Sequence, residues 1–421
     1  MKLLTFAILL FTGSIVCAQS ILLRPDRVFD GMEMHEGWAV LVEGNKIQAV
    51  GSKNELKPTA NTQVIDLQGT TLLPGLIEGH SHILLHPYNE VSWNDQVLTE
   101  SQAERVVRAT VHARNTLMAG FTTMRDLGSE GADYADVGIK TAIEKGIIPG
   151  PRMLVAGRAI VATGSYGPKG FAPNVEVPLG AQEADGVDNL IKVVREQIGK
   201  GVDIVKVYAD YRWGLGGAAM PTFTVEELTL IVQIAKSSGR PVVAHASTAE
   251  GMRRAALAGV ETIEHGDEGT KEVFQLMKEK GIAFCPTLAA GDAILQYRGW
   301  KKGQDPEPER IRKKRESMKR ALESGVTILT GGDVGVFTHG ENAQELELLV
   351  EYGMKPLEVL RSATSVNAKA FHLDNLGKIQ PGLLADLIAV QGKPDLEIVD
   401  IRNVKLVMKG GKMERLGELG N

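Results

Sequence analysis

Leu72-Leu73-Pro74-Gly75-Leu76-Ile77-Glu78-Gly79-His80-Ser81-His82 is an apolar run that stops at two histidines separated by one residue. Short, apolar and broken by Pro74-Gly75, it reads as a buried strand. Seven runs of the same kind follow, at 121–126, 153–157, 203–208, 241–246, 261–265, 282–287 and 326–333. Stretches with helical periodicity separate them, at 99–119, 134–146, 181–199, 224–238, 249–258, 270–280, 307–324 and 342–365. Strands buried on both faces and alternating with helices build a parallel sheet. Eight such units predict an α/β fold, a closed (β/α)8 TIM-like barrel over residues 73–373. An open doubly wound sheet is the alternative, but the glycine fingerprint between its first strand and helix is absent.

Outside the barrel the texture changes. Val40-Leu41-Val42, Lys46-Ile47-Gln48-Ala49-Val50 and Gln63-Val64-Ile65-Asp66-Leu67 read as strands around the turn signal Glu43-Gly44-Asn45, and Ala385–Val390 and Val404–Met408 repeat the pattern. Neither end has enough strands to stand alone. Residues 19–72 and 374–421 are therefore expected to combine into one small β-sandwich domain. At the start, Lys2, the apolar run Leu3–Phe11 and Val16-Cys17-Ala18 have the order of a signal peptide over 1–18, which predicts a periplasmic or secreted chain. A lipid anchor on Cys17 is disfavoured, because Ser14-Ile15-Val16 is a weak match to the small-residue pattern it requires. The apolar core is too short to span a bilayer, and no other segment approaches the length required. Loss of the signal leaves Cys285 as the one cysteine, so no internal disulfide forms.

Composition narrows the function. Of 421 residues, 43% are hydrophobic and 24% charged, which suits an ordered globular chain. The net charge of −5 without a long basic run argues against nucleic acid and polybasic membrane binding. The partner expected is a small molecule, and a homo-oligomer is left open.

Catalytic residues of a barrel belong at the C-terminal ends of its strands. Those ends carry His80 and His82 on the first run, Lys206 in the fourth, His245 on the fifth, His265 on the sixth and Asp333 on the eighth. On a strand, residues i and i+2 share a face, so His80 and His82 reach one ion. Imidazole nitrogen, a carboxylate and an open position make a zinc-type hydrolytic site. Any one of these histidines alone reads as a hydrogen-bonded core residue; the set at one height reads as ligands. Lys206 is an ammonium in an apolar strand, disfavoured by burial and by neighbouring cations. One reading is an ion pair with a nearby acid. The other is a depressed pKa and a neutral amine that adds carbon dioxide, turning a cation into a carboxylate-like bridge between two metals.

His80-Ser81-His82 after Leu73–Glu78, with Lys206, His245, His265 and Asp333, resembles the amidohydrolase superfamily. Gly120–Asp126, His245-Ala246-Ser247, Ile263–Gly266 and Gly382–Leu387 resemble its imidazolonepropionase-like branch, which includes secreted prolidase-type (Xaa-Pro) dipeptidases. The resemblance implies that His80, His82 and Asp333 hold one divalent ion, His245 and His265 a second, and carboxylated Lys206 bridges them. Zinc is the ion expected. It further implies that a hydroxide held between the metals attacks an amide or peptide carbonyl in a dipeptide, a Xaa-Pro-like substrate or an N-acyl amino acid, with Asp333 passing the proton to the leaving amine. Imidazolonepropionase itself has a mononuclear site without the strand-four lysine, so Lys206 argues against that cyclic-amidase activity. Lactonase or phosphotriesterase activity needs the same metals and stays an alternative, as does a metal-free binding protein that has kept the barrel.

Two departures stand out. Glu78 replaces the usual Asp ahead of the histidine pair, and Thr163-Gly164-Ser165-Tyr166-Gly167 puts Tyr166 where a histidine helps hold the carbonyl. A tyrosine hydroxyl still donates to an oxyanion. Tyr208, two residues after Lys206, points into the same site, for the substrate carboxylate or the attacked oxygen or as core packing. Arg212 is a bidentate partner for a free carboxylate or a solvated arginine, and His339 is a candidate for the pocket mouth. Arg125 and Asp126 read as a structural ion pair, and His86 as structural. His35, His112 and His372 receive no role. Gly214-Leu215-Gly216-Gly217 lacks the Lys-Ser/Thr of a phosphate loop and reads as a flexible active-site loop. The charged run Lys301–Arg320 reads as a solvated helix face. Loops 159–180, 209–221 and 288–306 are expected to set substrate preference.

Overall fold

The computed structural model describes residues 20–417, so the signal-peptide reading of 1–18, with Cys17, lies outside the described residues. The chain opens with β1 (Ser20–Phe29), β2 (Met34–Glu36), β3 (Trp38–Glu43), β4 (Lys46–Ser52) and β5 (Thr62–Pro74). Strand β1 pairs parallel to β5 on one side and antiparallel to β3 on the other. In β5 the alternation is visible directly: Ile65 and Leu67 are buried while Val64 and Asp66 face outward.

After Gly75 the chain enters β6 (Leu76–Ser81), then β7 (Phe121–Asp126) and β8 (Arg152–Val155), which pair in parallel. A second parallel set contains β9 (Ile160–Val161), β10 (Gln182–Glu183), β11 (Val205–Tyr208), β14 (Val242–Ala246), β15 (Thr262–His265) and β16 (Ala283–Cys285), in the order β10-β9-β11-β14-β15-β16. Between them β12 (Asp210–Arg212) and β13 (Ala219–Pro221) form a hairpin above the sheet. Helices such as Gln102–Met118, Gly186–Gly199 and Val225–Lys236 alternate with the strands and bury their apolar stripes against them.

The expected parallel α/β order is therefore present, but the ladders do not form a closed ring among the described residues. Between the two sets, the amides of Asp203 and Ile204 donate to the Val155 carbonyl. The run at 326–333 is no regular strand and contacts its neighbours through the parallel bridges Phe284↔Ile328 and Ser81↔Val334.

Strands β17 (Leu387–Gln391), β18 (Val404–Lys409) and β19 (Lys412–Leu416) then return to β5, completing one eight-stranded sheet in the order β19-β18-β17-β5-β1-β3-β4, with β2 on β1. Both chain ends share one core: Ile21, Val40 and Leu72 pack with Leu387, Leu406 and Met408. The hydrogen bonding is that of one sheet. It is clasped to the parallel layer by Arg152, whose guanidinium meets Asp386 at 2.8 Å.

Other expectations shift. The helix expected over 342–365 is broken into Ala343–Glu351 and Pro356–Arg361, because Gly353 at φ +112° and Pro356 interrupt it. Within the expected loop 288–306, Leu288–Tyr297 is a helix. Helix Glu309–Ser324 is not solvated throughout: Lys314 turns inward to Asp267 at 2.8 Å. No helix among the described residues is long and apolar enough to cross a membrane.

Candidate active site

The strand ends converge as expected from their positions. Ring centroids run His82–His80 at 5.4 Å, His80–His265 at 5.1 Å and His265–His245 at 4.3 Å, so the four imidazoles form a continuous chain. Asp333 Oδ1 lies 3.3 Å from His82 Nε2 and 3.7 Å from His80 Nε2. Donor atoms of His80, His265 and Asp333 all fall within 4.8 Å of one another.

Three of the four imidazoles are held by their other nitrogen, the arrangement that fixes a ligand's orientation. His80 Nδ1 meets Glu264 Oε2 at 2.8 Å, His82 Nδ1 the Gly128 carbonyl at 2.9 Å, and His265 Nδ1 the Thr287 hydroxyl at 2.8 Å. His245 turns Nε2 toward Asp210 at 3.7 Å and keeps Nδ1 as its second donor. Asp210 in turn accepts the backbone amides of Ser247 and Thr248, fixing the turn after β14. Glu78 knits the first and eighth strand ends, accepting the amides of His80 and Gly332 and the side chain of Asn342. Its place before the histidine pair is thus structural.

Backbone strain completes the geometry. His265 sits at φ +73° and Asp333 at φ +62°, where residues other than glycine are uncommon. Alternation along β15 would send Glu264 and His265 to opposite faces; the left-handed turn at His265 lets Glu264 reach His80 while His265 still joins the cluster.

Electrostatics follow from burial. Desolvation, with the Lys206 charge, lowers His80 to about 4 and His245 to about 3, and His265 falls well below its ordinary value. These imidazoles are neutral at pH 7. Burial opposes charge on His82 as well, but the adjacent Asp333 carboxylate carries it up to about 9. Asp333 resists its own burial and falls to about 2 because His80, His82 and Lys206 surround it. The Lys206 ammonium is pushed down by burial.

Whether these groups suit metals is tested by what is unpaired. Lys206 is 1% exposed, and among the described residues its Nζ and Asp333 Oδ1 have no hydrogen-bond partner. The ion-pair reading of Lys206 therefore finds no salt bridge. An amine and a carboxylate oxygen left open beside four oriented imidazoles form a donor set that fits divalent cations.

The pocket residues are distributed less simply. Tyr208 stacks on His245, centroids 4.4 Å apart and planes 15° from parallel. Tyr166 contacts the Tyr208 ring at 4.6 Å, but its hydroxyl donates to Glu130 Oε2 at 2.6 Å. Arg212 is on the exposed hairpin, its guanidinium 5.7 Å from the Tyr211 ring centroid. His339 is buried away from the mouth, stacked on His112, with Nε2 3.2 Å from the carbonyls of His82 and Leu85. Arg125 and Asp126 do not pair with each other: Arg125 bonds Glu264 at 3.1 Å and the Gly79 carbonyl at 2.7 Å. His86 is structural, between Glu90 and Glu100. The Gly214–Gly217 segment is the tip of the β12–β13 hairpin, with Leu215 78% exposed.

Glu130 and Trp93 were not legible as site residues, lying on a loop and at the start of the short helix Trp93–Leu98, where no strand-end rule applies. Lys169 and Tyr211 fall within the expected segments 159–180 and 209–221, with Tyr211 in β12. Glu264 is hidden from the same rule, because strand alternation sends it to the face opposite His265.

Comparison with known proteins agrees with this constellation. The model of the Amidohydrolase family matches residues 71–413. Ochratoxinase of Aspergillus niger is 31% identical over 422 aligned positions, covering 89% of this chain and 82% of that protein. A Xaa-Pro dipeptidase solved with methionine in its active site superposes with TM-score 0.83 at 31% identity, covering 94% of this chain and all of the other (100%). A prolidase complexed with N-methylphosphonate-L-proline gives TM-score 0.82 at 28% identity, with coverage of 94% and 100%. On the family match over 71–413 and the likeness to these relatives, this chain belongs to the amidohydrolase family, in its prolidase-like branch, and is a hydrolase acting on carbon–nitrogen bonds.

Proposed function

We propose that the chain is an exported, binuclear metal-dependent hydrolase that cleaves an amide or peptide bond in a small substrate, either a dipeptide, including Xaa-Pro, or an N-acyl amino acid. The observation that carries the reading is Lys206, buried with no hydrogen-bond partner among the described residues, its Nζ 5.8 Å from the Tyr208 ring centroid and its charge acting on His80, His245, His265 and Asp333. The reading includes a closed (β/α)8 barrel over 73–373, a sandwich folded from the composite sheet, and a periplasmic or secreted mature chain beginning after Ala18. The prolidase-like neighbours and ochratoxinase support the carbon–nitrogen chemistry.

His80, His82 and Asp333 would hold one ion, His245 and His265 the other, and Lys206 as its carbamate would bridge them. Bound zinc supplies a water that ionises near neutral pH and a Lewis acid for the carbonyl. The chain's own residues do the rest. Asp333 Oδ1, free of other bonds and a carboxylate at neutral pH, accepts the proton of the attacking water and returns it to the leaving amine. Tyr208, whose phenol burial holds well above its ordinary pKa, stays protonated and donates to the developing oxyanion. Tyr166 is engaged with Glu130 and closes the wall behind it. Arg212, on the exposed hairpin, is available to a substrate carboxylate.

Metal content per chain, measured with hydrolysis of a mixed dipeptide panel on one preparation, tests this. Close to two ions and release of free amino acids are expected. Two ions with no peptide cleavage would move the substrate to N-acyl amino acids, cyclic amides, lactones or phosphotriesters. One ion or none in a folded, zinc-supplemented sample would refute the carbamate-bridged centre.

A further inference from the structure

Glu130 is a buried carboxylate at the site for which the reaction just described has no use. It lies four residues beyond β7, 3% exposed, in a left-handed conformation at φ +49°. Its backbone carbonyl accepts Arg105 Nη1 at 2.7 Å, which fixes the turn. Its Oε2 accepts two neutral donors, the Tyr166 hydroxyl at 2.6 Å and Trp93 Nε1 at 2.9 Å. Its Oε1 stands 3.8 Å from His82 Nδ1, outside hydrogen-bond reach, and that nitrogen is already engaged with the Gly128 carbonyl. Glu130 is therefore not what orients His82.

Both side-chain hydrogen bonds to this buried carboxylate come from neutral donors, so neither is charge-assisted. The groups around it are aromatic. Tyr166 lies edge-on to Trp93 at 5.3 Å and packs against Tyr208 at 4.6 Å and Tyr211 at 4.8 Å. A carboxylate beside a tyrosine and tryptophan wall is the chemistry that recognises an organic ammonium: charge-assisted hydrogen bonds to the oxygen, ring faces for the rest of the cation. The position suits one substrate group in particular. In a dipeptide the ammonium is two bonds from the scissile carbonyl carbon, so its anchor must lie next to the catalytic ligands. Glu130 adjoins His82 directly and reaches His245 through Tyr166 and Tyr208.

Resting on the amide-hydrolase reading above, we infer that Glu130 binds the free α-ammonium of the substrate's amino-terminal residue. The enzyme then selects unblocked dipeptides over N-acyl amino acids, which would leave this carboxylate desolvated and unpaired. Trp93 and Tyr166 are positioning residues that hold the carboxylate in place.

The test uses a phosphinic pseudodipeptide, which is not cleaved, as free amine and as N-acetyl derivative, titrated calorimetrically into the zinc-loaded full chain. Glu130→Gln keeps an acceptor for Tyr166 and Trp93 and removes only the charge. Wild type is expected to prefer the free amine by about 30-fold or more, from a charge-assisted bond, and Glu130→Gln to bring the two forms within about threefold. Zinc content and melting temperature should not move, and affinity for the N-acetyl form should hold or rise, because the variant no longer leaves a charge unpaired beside it. Equal affinities in wild type, a preference that survives Glu130→Gln, or binding of neither form would overturn the inference. Dipeptide turnover, measured in parallel, speaks to the hydrolase reading separately. A Glu130-dependent preference without turnover sinks that reading and keeps the ammonium site; turnover without preference does the reverse.

Discussion

Replacing Lys206 with methionine should change stability in opposite directions with and without metal. In the metal-free chain the Lys206 side chain is 1% exposed and its Nζ has no hydrogen-bond partner among the described residues. A buried polar group left unsatisfied costs about 1–3 kcal/mol, and methionine fills nearly the same volume with flexible apolar atoms. Loss of attraction to Glu264 and Asp333 opposes this gain. Glu264 barely registers the loss, because Arg125, His80 and Thr262 already satisfy it. Metal-free Lys206→Met should therefore be more stable than wild type by about 1–2 kcal/mol, read as a higher urea midpoint at unchanged slope. Zinc should reverse the order. A ligand present at about 1,000 times its dissociation constant stabilises by about 4 kcal/mol, and the variant, lacking the bridge, forgoes much of that. Urea titrations of both proteins in chelator and in zinc, with metal analysis of each, complete the assay. A metal-free variant less stable than wild type would show that Lys206 is held by ion pairing. A variant that binds two ions as tightly as wild type would refute the bridge.

Glu264→Gln weakens the hold on His80 Nδ1 and leaves Arg125 without its anion, so zinc affinity should fall about 10–100-fold, measured by chelator competition. Glu345 is buried, with Oε1 unpartnered, and burial raises its pKa to about 8. Because the folded value lies above the unfolded one, its contribution is fully present below about pH 4.5 and fades as pH rises toward 8; Glu345→Gln should flatten that alkaline decline and raise the melting temperature at pH 8. Gly331→Ala would put a Cβ 2.7 Å from the His80 amide nitrogen and 2.9 Å from the Gly79 carbonyl carbon, so the first strand end must move. Lower zinc occupancy together with a lower melting temperature is expected, and a variant with full occupancy would refute the link between that close approach and the site.

The cluster of strand-end side chains was legible because the rule that locates it is simple: find the apolar runs and read what ends them. His80, His82, His245, His265 and Asp333 all obey it, and Lys206 announces itself as a charge inside such a run. What escaped reading depends on the path of the chain between the runs. Glu130 is four residues past its strand in a turn that no periodicity encodes, and it reaches the site only because φ turns positive there. Glu264 was hidden by alternation, which predicts that it and His265 diverge, and the strain at His265 undoes that prediction. Lys314 sits in a run whose charges alternate at helical spacing, so nothing local distinguishes it from its solvated neighbours. Its partner, Asp267, is supplied by a distant loop. The composite sheet was foreseeable from two β-rich ends, neither sufficient alone, whereas its pairing order depends on tertiary registry.

That sheet has a consequence for how the protein is made. Strand β5 runs through Gly75 directly into β6, and its other edge is covered only by β17, from Leu387 to Gln391. The amide of Gly75 waits for the carbonyl of Asp386. As the chain is delivered amino-terminus first, β5, which leads into the first pair of histidines, therefore appears with an open edge and stays open until almost the whole chain has followed. An exposed edge of this kind invites pairing with other chains. The fold thus makes its last strands a release condition, and a chain truncated before residue 387 would present that adhesive edge permanently.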